Sequence, residues 1–282
     1  MKIFENSVYT GERALFSTSG ARIVNCVFEN GESPLKESSD LAIADSRFSW
    51  KYPLWYCKSV LVEKSNIEET ARSGIWYTSD IIVRDTKIAA PKTFRRSSRI
   101  VLERVELPFA LETMWSCRDI VLKDVRIEGD YFGMNSENID AEGLEVLGNY
   151  IFDGAKNVTV RNSRLISKDS FWNCENVTVY DSYIEGEYIG WNSKNVTFVN
   201  CTILSNQGLC YMDNLVMENC KLIDTDLAFE YSTVRADIRS HIDSVKNPIS
   251  GSIAADSIGE VIHDPRFVDV SKTEIKIRDA VK

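Results

Sequence analysis

The sequence predicts an all-β chain wound as a single-stranded parallel β-helix, in about twelve short coils of roughly nineteen residues. Three observations carry that prediction. A motif recurs at a fixed period, most legibly where Asn157-Val158-Thr159-Val160 becomes Asn176-Val177-Thr178-Val179 and then Asn195-Val196-Thr197-Phe198. Aliphatic residues fall in aligned columns within each period, and asparagine occupies one bend position in successive copies. Such self-similarity marks a solenoid, whose units bury their apolar faces only by stacking on one another.

Taking the first inward aliphatic of each period as an anchor gives Ala21, Leu41, Val60, Ile81, Ile100, Ile120, Ile139, Val158, Val177, Val196, Leu215 and a degenerate Val234. Two residues further on lies a second inward set that includes Ile23, Val62, Leu102, Val160 and Met217. This alternation predicts a short half-buried strand. Another apolar column, seven after the anchor, runs through Phe28, Phe48, Ile67, Ile88, Leu165 and Ile184. A third, six before it, runs through Leu15, Leu35, Leu54, Ile75, Phe94, Met114, Phe152 and Phe171. Three strands per coil follow, and a helix of about ten residues has no room between the bends.

The position just before the anchor holds Asn138, Asn157, Asn176, Asn195 and Asn214, with Asp40, Asp80 and Asp119 earlier. Asn and Asp tolerate the left-handed backbone of a sharp bend, and stacked amides can pair in a ladder. The row is scaffold. The chain is expected to be one domain over 1–282, with repeat coils at 14–236. An N-terminal cap at 1–13 and a C-terminal cap at 237–282 would cover the open ends.

These strands, columns and the Asn row resemble the right-handed parallel β-helix of the pectin-lyase-like superfamily, over roughly Ala14 to Arg235. More narrowly, Gly11-Glu12-Arg13-Ala14-Leu15-Phe16, Asn247-Pro248-Ile249-Ser250-Gly251 and Ser257-Ile258-Gly259-Glu260 resemble a family of uncharacterised bacterial β-helix proteins, a domain of unknown function. Some of its members carry the label "hydrogenase". A hydrogenase needs clustered thiolates or another metal set, and this chain has no Cys-x-x-Cys. Lyases of the superfamily commonly use an Arg or Lys base near acidic calcium ligands, and its hydrolases use grouped aspartates. Neither pattern maps residue by residue here, and fold alone implies no activity.

Composition sets the expected partners. The net charge of −9 argues against nucleic acid and anionic membrane. The opening Met1-Lys2-Ile3-Phe4-Glu5-Asn6 lacks a signal-peptide core, and seven cysteines without framework spacing suit a reducing compartment. The protein is expected in the cytoplasm. Cys26, Cys201 and Cys220 share one column, five after the anchor, and Cys57, Cys117 and Cys174 another; all six suit small interior fillers. The sequons at Asn157, Asn176, Asn195 and Asn200 arise from the repeat. With only His241 and His263, no His-based metal centre or nucleophile–His pair emerges, and no cofactor is expected.

One lateral face stands out. Five residues before the anchor come Trp55, Trp76, Arg95, Trp115, Asp153, Trp172 and Trp191, so five of the six tryptophans share a column. Four before it come Tyr56, Tyr77, Arg96, Asn135, Asn173, Asn192 and Tyr211. Aromatic platforms among amides are what a carbohydrate groove uses, rings covering apolar sugar faces while polar groups bond hydroxyls. The same face could join two copies of the chain, as could a capped end, or the indoles could fill a corner. Beside it lie Lys92, Arg95, Arg96 and Arg99, which could hold a carboxylate or phosphate, or pair with Glu103 or Glu112. Should the chain be a polysaccharide lyase or glycoside hydrolase, Arg95 and Arg96 would be its electrophilic cations, with Glu112 and Asp153 as acid–base partners.

Overall fold

The computed structural model describes residues 1–278. It is a parallel β-solenoid with no α-helix among those residues, only two short 3-10 turns at Glu69–Ala71 and Val270–Lys272. The chain forms two compact units, Met1–Glu145 and Val146–Lys282.

In the first unit, Ala21, Leu41, Val60, Ile81, Ile100, Ile120 and Ile139 lie opposite one another in turn. In the second, Val158, Val177, Val196, Leu215 and Val234 do the same. The inward aliphatics therefore stack like on like, and nearly all are sealed from solvent. Aromatic columns add to this: Tyr9, Phe28 and Phe48 stack at 5.2 and 4.8 Å between centroids.

Among the described residues the turns number about 15 rather than twelve. The extra ones lie at the ends. Lys2 pairs with Ala21 and Phe4 with Ile23, so Lys2–Glu5 and Val8–Thr10 are strands of a first coil. After Val234 the ladder continues through Ser250–Ala255 and Thr273–Ile277. The first escapes a nineteen-residue template because its anchor position holds Lys2, the last two because their spacings differ and their anchor positions hold Gly251 and Thr273. At Gly251 (φ 119°) an added Cβ would sit 1.9 Å from the carbonyl oxygen of Val234, so only glycine lets these two coils stack.

Most coils carry two strands rather than the three expected. The third side bends through left-handed residues at alternate positions, as at Lys92, Phe94 and Arg96, and at Asp169, Phe171 and Asn173. Alternating left-handed residues cannot lie in an extended strand. Coils still bond across this side, with Asn173 N donating to Trp191 O at 3.0 Å. A left-handed non-glycine residue costs roughly 1–2 kcal/mol. Burial of the rings of Phe94 and Phe171 offsets that cost.

The row before the anchor is the expected ladder. Asn176 donates to Asn157, Asn195 to Asn176 and Asn214 to Asn195, each at 3.0 Å, and all four have φ between 54° and 61°. A second ladder, four after the anchor, runs from Asn219 to Asn200 to Asp181 at 2.9 Å.

Candidate functional site

The tryptophans line up as the repeat implies, one wall in each unit. In the first, Trp55 and Trp76 stack at 5.0 Å with planes 7° apart. The Arg95 guanidinium takes the next place, 5.1 Å from the Trp76 ring and 4.5 Å from that of Trp115. In the second, Trp172 and Trp191 stack at 5.8 Å and 8°, and Tyr211 meets Trp191 edge-on at 5.1 Å. Each indole nitrogen donates to a backbone carbonyl of the following coil: Trp55 to Ser73, Trp76 to Lys92, Trp115 to Tyr131, Trp172 to Tyr188 and Trp191 to Gln207, at 2.6–3.0 Å. The rings are half-buried, with faces turned on their neighbours in each wall. They brace the corner while leaving a rim.

The column four before the anchor forms the accessible surface. Tyr56 and Tyr77 stack at 4.8 Å and 8°, with Tyr56 49% exposed. Arg96 and Asn135 are exposed further along the first unit. In the second unit Asn192 donates to Asn173 and Asn173 to Asp153, both at 2.8 Å, and Tyr211 is 44% exposed. Counting by nineteen puts Glu230 after Tyr211 in this column; the structure gives that place to Tyr231, with Glu230 and Lys246 beside it. Tyr211 N donates to Glu230 O as Asn173 N does to Trp191 O, so Glu230 follows Cys210 in the tryptophan column and Phe229 slips inward. Counting coil length from Tyr211 to Tyr231 would have exposed the one-residue shift. Lys246 pairs with Glu230 at 2.9 Å.

The cationic cluster is largely neutralised. Glu112 Oε2 accepts from Arg95 at 2.7 Å and lies 3.3 Å from Lys92 Nζ. Arg99 grips Asp80 with two nitrogens and holds that carboxyl below its usual range. Glu103 turns instead to Arg104 and Arg84, at 2.8 and 2.9 Å. Among the described residues, only Arg96 of the four cations lacks a carboxylate partner. Arg95 and Arg96 therefore differ. Arg95→Ala uncovers two indole faces and should lower stability by about 1–2 kcal/mol, whereas Arg96→Ala should leave the melting temperature nearly unchanged; calorimetry of both variants checks this. Glu112 lies in the first unit and Asp153 in the second, each held by its own partner.

Two further groups could bear chemistry. His241 Nδ1 lies 2.8 Å from Ser257 Oγ, but Asp243 is 3.6 Å from Nε2 and both side chains are half exposed. The sequence separation hides this contact, which the parallel pairing of the two strands creates. Exposed and without an aligned carboxylate, it is a polar cross-strand pair. Asp169 is 1% exposed and its Oδ1 has no partner, so burial raises its pKa. A raised folded value makes the ionised form destabilising, so Asp169→Asn should raise the melting temperature at pH 7. That gain should disappear below the ordinary aspartate range, where both states are protonated; melting curves across pH measure it. Among the described residues, no group of three or more His, Cys, Asp or Glu is placed to hold a metal ion, and no helix is long and apolar enough to cross a membrane.

Stacked parallel coils with bend ladders and a bracing aromatic corner define the chain as a parallel β-helix protein. A surface adhesin of Streptococcus pneumoniae, PfbA, superposes with a TM-score of 0.54 at 8% identity, over 82% of this chain and 85% of that one. At that identity the likeness shows the fold alone. Weaker likenesses are to the A-module of the Azotobacter vinelandii mannuronan C-5 epimerase AlgE6 (TM-score 0.45, 11% identity, 93% and 89% covered) and to a GH87 α-1,3-glucanase catalytic domain (0.30, 9%, 92% and 64%). The chain belongs to the family described as protein of unknown function DUF3737, whose model matches residues 2–276. No curated protein matches the sequence.

Proposed function

We propose that this protein binds carbohydrate along the rim of its aromatic bends. The carrying observation is the exposed column beside each tryptophan wall: Tyr56 and Tyr77 in the first unit, Asn173, Asn192 and Tyr211 in the second. One side chain is offered per coil, at a spacing of about 4.8 Å, on a backbone held by coil-to-coil bonds. A saccharide needs such a mixture, apolar ring surface beside fixed hydroxyls and amides. The indoles supply rigidity, since their nitrogens and faces are already engaged; the tyrosines and asparagines make the contacts.

The enzymatic reading is second. Arg95 and Glu112 form a close ion pair, so either would have to abandon its partner to act on a substrate; of the four clustered cations only Arg96 lacks a carboxylate partner among the described residues. A glycan array followed by tryptophan-fluorescence titration tests the binding proposal. A Tyr56→Ala/Tyr77→Ala variant should lose tenfold or more in affinity for a ligand of the first unit. Absence of any glycan-dependent signal, or equal affinity in that variant and in an Asn173→Ala/Asn192→Ala variant, sinks the idea.

A further inference from the structure

We infer that Cys201 and Cys220 are a cross-linking site, a thiol pair placed to close a disulfide between two successive coils of the second unit. Thr202 lies directly opposite Lys221 in the parallel ladder, which sets the preceding residues, Cys201 and Cys220, side by side. Neighbouring parallel strands lie about 4.8 Å apart, within the roughly 4.4–6.8 Å that a disulfide requires between Cα atoms. Both side chains point inward from the same column and are sealed from solvent.

The other cysteines have no such neighbour. Cys26 N meets Ser46 Oγ in the next coil, Cys57 N meets Thr78, Cys117 N meets Ser136 and Cys174 N meets Ser193. Cys210 lies in a different column. Burial pushes Cys57 and Cys117 up to about 12. The two neighbouring thiols shift each other in opposite directions, Cys201 up and Cys220 down. Either sulfur can attack once ionised, Cys220 in the sequence that follows. With glutathione disulfide as oxidant, Cys220 attacks one sulfur and releases a glutathione thiolate. Cys201, losing its proton, then displaces the second glutathione. Two protein thiols are oxidised, and one glutathione disulfide is reduced to two glutathiones. The sulfurs are buried, so the bond forms while these coils assemble or open.

The full chain, refolded in a glutathione redox buffer, should fall from seven free thiols to five. Peptide mapping should find a Cys201–Cys220 link within one chain. The melting temperature should rise by roughly 5 °C and return on reduction. Cys201→Ser and Cys220→Ser should each keep all six remaining thiols under the same oxidant. Seven thiols surviving oxidation, a different pair in the map, or a disulfide persisting in either serine variant would overturn the assignment.

Discussion

Phe28→Ala is expected to cost about 3–5 kcal/mol of stability, the range for truncating a sealed aromatic core residue. Phe28 is 1% exposed and lies between Tyr9 and Phe48, with ring planes within 17° and 4° of its own. Removing it deletes two stacking contacts and leaves a void that the flanking coils can fill only by moving toward each other. They cannot, because their spacing is set by backbone hydrogen bonds on both sides. In a solenoid the loss should be local. Chemical denaturation should show the drop, and hydrogen exchange should place it in Val8–Thr10, Val27–Glu29 and Arg47–Phe48. A loss below 1 kcal/mol would mean that the stack is not tightly packed.

Gly251→Ala is the second large effect, and its cause is backbone rather than core. A methyl group there would stand 1.9 Å from the Val234 oxygen and 2.8 Å from its carbonyl carbon, and φ of 119° is strained for any L side chain. No flexible side chain can move aside, so the coils must separate or the strand Ser250–Ala255 must detach. A penalty of at least about 3 kcal/mol follows from steric and conformational terms together. The measurement is melting temperature, with loss of exchange protection at Ser250–Ala255 and Thr273–Ile277. A variant as stable as the parent would show that these coils do not pack as described.

The oxidised Cys201–Cys220 bond acts in the opposite direction. It ties two coils whose like-on-like stacking already fixes their register. The carbohydrate proposal and the cross-link proposal are separable, since glycan titration and thiol counting fail independently.

The walls of the site were legible because a column survives any change that preserves coil length. Trp55, Trp76, Trp115, Trp172 and Trp191 could be aligned by counting, as could Tyr56, Tyr77, Asn173 and Asn192. Tyr231 and Lys246 were not, and counting sets Glu230 and Phe229 one place out, because one extra residue upstream shifts the count and leaves Phe229 in the core. Ring orientation was equally beyond reach. Whether an indole turns its face or its edge outward depends on where its nitrogen finds an acceptor, and those carbonyls lie 16 to 18 residues away on the next coil.

From the sequence alone came the parallel coil stack, its inward columns and the asparagine bends, since each is a periodic property of side-chain type and burial must repeat with the backbone. The tertiary structure decided the rest. Coil-to-coil bonding carried the solenoid past both expected caps, left-handed residues turned a third strand into a bend, and Glu112 drew Arg95 and Lys92 together but not Arg96. Those outcomes hinge on distances between coils, and such distances have no signature in a linear spacing.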